Sequence, residues 1–358
     1  MKLVETPIRS TRVAELADIS GPPPHELAKV EAFAADLKGQ LFTAGPEDGQ
    51  AAVALSKAAK NAAAGSLHSS DVQQKLANPA QRHQRALTQA LSAKNAAVVD
   101  GKIQESGQLD VDAIKKASRF SLVLDNPKAD DTLLAAGIAI ANGVPSLYVV
   151  PERKSLPWFL READQTYPGT VHILEEPIPA AAKKAIKQGG EQLYGTRAEA
   201  GPIGASVDTF IGCLMSGLTE TQYAEGRSHL MAIDSALKDK LGASKNHCEG
   251  IMVASTNSFG TPKESLAMDV EAIRAADRCV FYLYDGQPRP SGMWVEAGVA
   301  IGLDKPCTFL VPSRDALPPA LRGEELPKGV QVVVYSDHAA LLAGLESKPA
   351  GLLGEGKV

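Results

Sequence analysis

Two stretches of the chain match: AAGIAIANGVPSLYVVPERKSLPWFLRE (135–162) and EAGVAIGLDKPCTFLVPSRDALPPALRG (296–323). A shift of 161 positions superposes Gly137 on Gly298, Ala139-Ile140 on Ala300-Ile301, Pro145 on Pro306 and Val150-Pro151 on Val311-Pro312. It also puts Arg153 on Arg314, Leu156-Pro157 on Leu317-Pro318 and Leu160-Arg161 on Leu321-Arg322. Upstream, a shift of 159 aligns LDVDAIKKASRF (109–120) with MDVEAIRAADRC (268–279), so two residues are inserted between the matching blocks. A match this long means two copies of one structural unit. The expected organisation is an N-terminal extension (1–38), a first copy (39–176), a linker (177–205) and a second copy (206–358).

Each copy alternates strand-like and helix-like segments. In the second, VDTFIGCLM (207–215) is a short β-rich run, followed by a helical pattern over 221–241 with Leu230, Ile233 and Leu237 on one face. Next come strand EGIMVAS (249–255), helix PKESLAMDVEAIRAADR (262–278), strand CVFYLYD (279–285) and helix SGMWVEAGVAIGL (291–303). Strand PCTFLVP (306–312), helix RDALPPALRG (314–323) and strand VQVVVY (330–335) complete the unit. Apolar runs without polar alternation predict strands covered on both faces, hence parallel sheets between helices. The predicted fold is α/β: two tandem doubly wound, flavodoxin- or Rossmann-like domains, each with a five-stranded parallel sheet. The first copy is expected to run from LFTAG (41–45) to VHILEE (171–176), with a helical insertion at 48–92.

Composition narrows the function. The 358 residues are 44% hydrophobic and 22% charged, ordinary for a globular chain, and the net charge of −5 argues against a nucleic-acid binder. The basic pairs Lys115-Lys116 and Lys183-Lys184 read as solvated helix faces. The longest apolar region, LLAAGIAIANGVPSLYVV (133–150), is interrupted by Asn142, Gly143 and Pro145, so no membrane span is expected. The first twenty residues carry charge throughout, unlike a secretory leader. Cys213, Cys248, Cys279 and Cys307 form no CxxC pair and read as small buried hydrophobes in a reducing, cytoplasmic setting.

In open α/β sheets ligands bind beyond the carboxyl ends of the strands. The loops that matter are therefore those at Ser216-Gly217, 256–260 and 285–291. No GxGxxG follows a strand, and there is no GxxxxGK[ST], no GxSxG and no His/Cys set with metal-ligand spacing. What stands out is YDGQPRPSGMWVEAG (284–298), a strand end running through a Gly/Pro loop into a helix. Ser291 suits the N-cap, and Glu296 falls about one turn in, where the positive helix end is expected to keep it ionised. Its neighbours are apolar or small, so its charge must face a cavity or a partner. A structural glutamate paired with an arginine is the alternative. Asp269 lies on the preceding helix, one turn after Ser265, where a plain exposed acid is the alternative.

The pattern formed by Asp269, Ile273 and Ala276-Asp277, then Ser291-Gly292, Glu296, Gly298, Ala300 and Lys305-Pro306, resembles the nucleoside 2-deoxyribosyltransferase superfamily, which includes deoxynucleoside 5′-monophosphate N-glycosidases. The likeness covers about residues 207–335. It implies cleavage or transfer at the N-glycosidic bond of a nucleoside or nucleotide, with Glu296 as nucleophile and Asp269 assisting. Ser291 and Gly292 would meet a 5′-phosphate or the sugar, Asp285 the sugar or base, and Trp294 would stack. Ser216 and Gly217 would also line the substrate site. The chain departs from the family at its first strand, which continues CLMSGLTETQ (213–222) without tyrosine. No cofactor or metal is called for.

The same shifts place Asp110 at the position of Asp269 and Ala135 at that of Glu296, while PKADDTLL (127–134) lacks the Ser-Gly. The first copy thus reads as a degenerate domain forming an intrachain pseudo-dimer with the second, association between chains being left open. Two alternatives remain. One is a TIR-like NAD-cleaving enzyme built on Ser291, Trp294 and Glu296; the other is a nucleotide-binding sensor without turnover.

Overall fold

The computed structural model describes residues 109–123, 130–176, 193–199, 204–214, 217–253, 260–285 and 292–353. The expected extension (1–38), the LFTAG strand and the helical insertion (48–92) lie outside the described residues, as do Ser216 and Ser291.

The first half of the described chain runs α1 (Val111–Lys116), β1 (Phe120–Val123), α2 (Asp130–Ala141), β2 (Ser146–Val150), α3 (Ala163–Thr166) and β3 (Val171–Glu175). Its strands form a parallel sheet in the order β1-β2-β3. The second half runs β4 (Val207–Cys213), α4 (Glu220–Leu241), β5 (Asn246–His247), α5 (Glu249–Met252), α6 (Pro262–Ala275), β6 (Ala276–Tyr282) and α7 (Gly292–Gly302). It then continues through β7 (Cys307–Val311), β8 (Val330–Val334), α8 (His338–Ser347) and α9 (Pro349–Leu353). Its five strands are parallel in the order β5-β4-β6-β7-β8, the 2-1-3-4-5 arrangement of flavodoxin-like sheets. The architecture is thus α/β with two parallel sheets, of three and five described strands. No described helix is long and apolar enough to cross a membrane.

Local signals explain most boundaries. Thr219 and Gln222 form a capping box at the start of α4, and Gly242, at φ 66°, closes it in the left-handed conformation. Thr261 and Glu264 cap α6 in the same way, with Pro262 in its first turn. Three expectations need correcting. The second strand is Asn246–His247, and the EGIMVAS segment expected to be a strand begins instead with the helical turn α5. RDALPPALRG forms two 3-10 turns, Arg314–Ala316 and Pro319–Leu321, because Pro318 and Pro319 remove amide donors and bar a continuous helix. Residues 193–199, expected in the linker, pack on the first half: Thr196 N–H donates to the Gly169 carbonyl at 2.7 Å and Ala198 N–H to that of Gly143 at 3.0 Å.

The internal repeat persists in the hydrogen bonds. Arg161 Nε donates to the Leu156 carbonyl at 3.1 Å and Arg322 Nε to that of Leu317 at 2.7 Å. Arg153 Nη1 meets the Arg161 carbonyl at 2.8 Å, as Arg314 Nη1 meets that of Arg322 at 3.1 Å. Each pair is related by the 161-residue shift.

That relation also governs how the halves meet. Helices α2 and α7 cross so closely that a Cβ on Gly137 would lie 2.0 Å from the Val295 carbonyl oxygen, and one on Gly298 would lie 2.1 Å from that of Leu134. Moving Gly137 forward and Val295 back by 161 residues turns the first contact into the second, so the crossing is isologous. One hydrophobic cluster spans both halves, joining Phe120, Tyr148 and α2 to α6, α7 and one face of the larger sheet (Phe210, Phe281, Phe309). The opposite face (Ile211, Val280, Tyr282, Leu310) packs on α4 and α8 through Leu230, Ile233, Leu237, Leu341 and Leu345.

Gly137→Ala places a methyl group where backbone already stands, and overpacking of that kind typically costs about 1–3 kcal/mol or more. Urea unfolding should show a lowered midpoint for this variant, whereas Gly323→Ala, where only a distant amide lies near the added carbon, should leave it close to wild type.

Candidate active site

The strand order places β4 between β5 and β6, so the crevice at the carboxyl ends of β4 and β6 is the topological switch point of the larger sheet. Gly212, the penultimate residue of β4, pairs there with Phe281. Its lack of a side chain is required: a Cβ would lie 2.7 Å from the Phe281 ring and 2.8 Å from Glu296 Oε2. The Glu296 carboxyl therefore occupies the space above a strand glycine.

Glu296 is the fifth residue of α7. Side chains on a helix lean toward its N-terminus, and Glu296 Oε1 comes within 4.0 Å of the position a Cβ would take on Gly292, one turn earlier. The residue is 8% exposed, and among the described residues no hydrogen bond or ion pair reaches its carboxyl group. Burial, reinforced by Asp269 and Glu249, pushes its pKa well above the usual carboxylate value. Desolvation thus acts against the helix N-terminus, which favours the ionised carboxylate.

Asp269 is also buried, at 2% exposed, on α6. Its Oδ1 lies 3.1 Å from His247 Nε2, and the His247 ring stacks on Phe210 at 5.7 Å between centroids. Burial raises the Asp269 carboxyl, and His247 partly offsets that. Glu249, the first residue of α5, accepts a hydrogen bond from the Ser265 hydroxyl at 2.9 Å. Burial and then the nearby Asp269 push its carboxyl up to about 7, against the Ser265 bond. The Cys213 thiol, beside Cys248, is raised too, which makes it a poor nucleophile. All four cysteines are buried thiols, and none forms a disulfide.

The structure thus brings Glu296 and Asp269 into one cluster with His247, Glu249, Ser265 and Gly212. Other candidates lie elsewhere. Trp294 is wholly buried with its ring 6.4 Å from Phe309, so it is part of the core and cannot stack on a ligand. Asp285 is exposed, three residues beyond β6, and Gly217 is exposed at φ 80°. Gly292 opens α7 against Phe159 of the first half. Ser216 and Ser291 lie outside the described residues. Lys305, part of the matched pattern, holds the backbone together where α6 passes into β6, its Nζ donating to the carbonyls of Arg274 and Ala276 at 2.8 and 2.7 Å. No group of three or more metal-ligating side chains occurs among the described residues.

Sequence reasoning missed Glu249, His247 and Gly212. Reading EGIMVAS as a strand puts Glu249 at the amino end of the sheet, away from ligands. In the first half, Ala135 stands buried where Glu296 stands in the second. Asp110, the counterpart of Asp269, caps α1 by accepting from the Ala113 amide at 2.8 Å.

Gly212→Ala should displace the Glu296 carboxyl and the Phe281 ring, lowering the thermal midpoint and any activity together. The folded chain holds a proton on Glu249 up to about pH 7 that the unfolded chain releases near the ordinary 4.5. Its contribution to stability is therefore complete below 4.5 and is lost as pH rises toward 7. Denaturation of Glu249→Gln across that window should show a flatter pH dependence than wild type; an unchanged slope would contradict the raised value. Comparison with protein-family models, curated proteins and solved structures finds no match for the chain.

Proposed function

We propose that the second half cleaves or transfers at the N-glycosidic bond of a nucleoside or nucleotide, with Glu296 as the attacking group. The observation that carries this reading is the Glu296 carboxyl: nine-tenths buried, without a partner among the described residues, and held above Gly212 at the switch point beside two further carboxyls. A buried acid without a counter-charge is costly, and a site that must stabilise an oxocarbenium-like centre supplies a reason to keep it. Positive charge developing at the anomeric carbon is stabilised by the Glu296 carboxylate, which favours its ionised form there. Asp269, tied to His247, fixes the polar floor of the crevice.

On this reading the first half is a degenerate copy of the same five-stranded doubly wound plan, and the chain is an intrachain pseudo-dimer joined through α2 and α7. Ala135 and the N-capping role of Asp110 favour a non-catalytic first copy. The nucleotide-binding sensor is the second reading, favoured by the burial of Glu296, which disfavours its ionised form. The NAD-cleaving reading loses one of its three residues to the core, because Trp294 is inaccessible.

Free base would be detected chromatographically after incubation with nucleosides, their 5′-monophosphates and NAD. Wild type should release base from at least one, and Glu296→Gln should reduce that rate at least ~1,000-fold, as loss of a nucleophile does. A Glu296→Gln variant as active as wild type would sink the assignment. Release from none, with ligands still raising the melting temperature, would establish the sensor.

A further inference from the structure

Glycosidic cleavage with a neutral base needs a proton at the departing nitrogen, and two carboxyls stand beside Glu296 to supply it. They differ in what they are free to do. Asp269 is almost fully buried, and its Oδ1 is engaged by His247, which is itself stacked on Phe210. Glu249 is half-buried in the first turn after β5, at the carboxyl end of the sheet where ligands enter. Only its Oε1 is engaged among the described residues, by the Ser265 hydroxyl at 2.9 Å. We infer that Glu249 hands the proton to the departing base and afterwards takes one from water. This inference rests on the glycosidic reading above.

In the first step Glu296 carboxylate attacks the anomeric carbon. The carbon–nitrogen bond breaks with its electron pair going to the base, and the Glu249 proton goes to that nitrogen. A glycosyl ester of Glu296 and a free base result. Water then attacks the same carbon, Glu249 carboxylate takes its proton, and the ester bond breaks to restore Glu296. In transfer, an acceptor base replaces water and Glu249 takes its proton.

The groups facing Glu249 are Asp269 from α6, His247 from β5, Glu296 from α7 and Tyr223 from α4. The productive form carries the proton on Glu249 and leaves Glu296 ionised. A donor is most effective when it titrates near the working pH, and burial brings Glu249 to about 7.

The test compares leaving groups. Guanine and cytosine nucleosides, deoxynucleosides and their 5′-monophosphates would be paired with the N7-methylguanine and N3-methylcytosine forms, whose bases are already cationic and leave without a proton. In the first turnover, before hydrolysis of the ester, Glu249→Gln should slow release of the neutral bases about 100-fold more than release of the methylated ones, and should remove the alkaline limb of the kcat/KM profile. Glu296→Gln should slow both sets alike. Ser265→Ala deprives the ionised Glu249 of a hydrogen bond, so it should move the alkaline limb to higher pH. Equal losses for both sets in Glu249→Gln, or an alkaline limb that ignores both Glu249→Gln and Ser265→Ala, overturn the assignment and leave the nucleophile standing. No cleavage by wild type, or full activity in Glu296→Gln, overturns the glycosidic reading and this assignment with it.

Discussion

The back-to-back crossing of α2 and α7 at Gly137 and Gly298 governs what surrounds it. Carbonyl oxygens of Val295 and Leu134 approach the opposite helix to where a side chain would stand, so the two helices touch backbone to backbone. Contacts this close gain dispersion along the whole crossing and favour weak Cα–H···O bonds. They also exclude water, and every residue of α7 from Met293 to Gly302 is buried. The single carboxyl on that helix has nowhere to go but the crevice above Gly212. The contact between the repeats thereby sets the electrostatics of the site.

Three acids share one poorly solvated crevice. Burial disfavours the ionised form of Glu296, Asp269 and Glu249, and the charge of Asp269 adds to this at the other two. His247 opposes it at Asp269, and the Ser265 hydroxyl and His247 oppose it at Glu249. The arrangement is unfavourable to folding near neutrality. In the first half Ala135 fills the position of Glu296 with a methyl group, and Asp110, at the position of Asp269, caps a helix.

Much of this is legible in the residues alone. The 161-residue repeat and the parallel strands follow from residue pattern, because periodicity and apolar runs report burial directly, whereas the pairing of Glu296 with Asp269 is implied only by the family resemblance. Helix starts at Thr219 and Thr261 are written in their capping boxes. The misreadings have local causes. EGIMVAS has the apolar character of a strand, yet β5 is a two-residue edge strand that ends before it, so a strand reading sets Glu249 at the wrong end of the sheet. Trp294 sits in a helix whose every face is covered, so its ring is spent on the core rather than on a ligand.

The sequence by itself determined the duplication, the α/β class, most strands of the larger sheet and the presence of an unusual acid on an apolar helix, since each depends on short-range pattern. Tertiary structure alone decided the strand order, the crossing of the repeats and the company Glu296 keeps. His247, Glu249 and Gly212 reach it from three separate elements, and the protonation of the cluster depends on distance and burial. No spacing along the chain encodes either one.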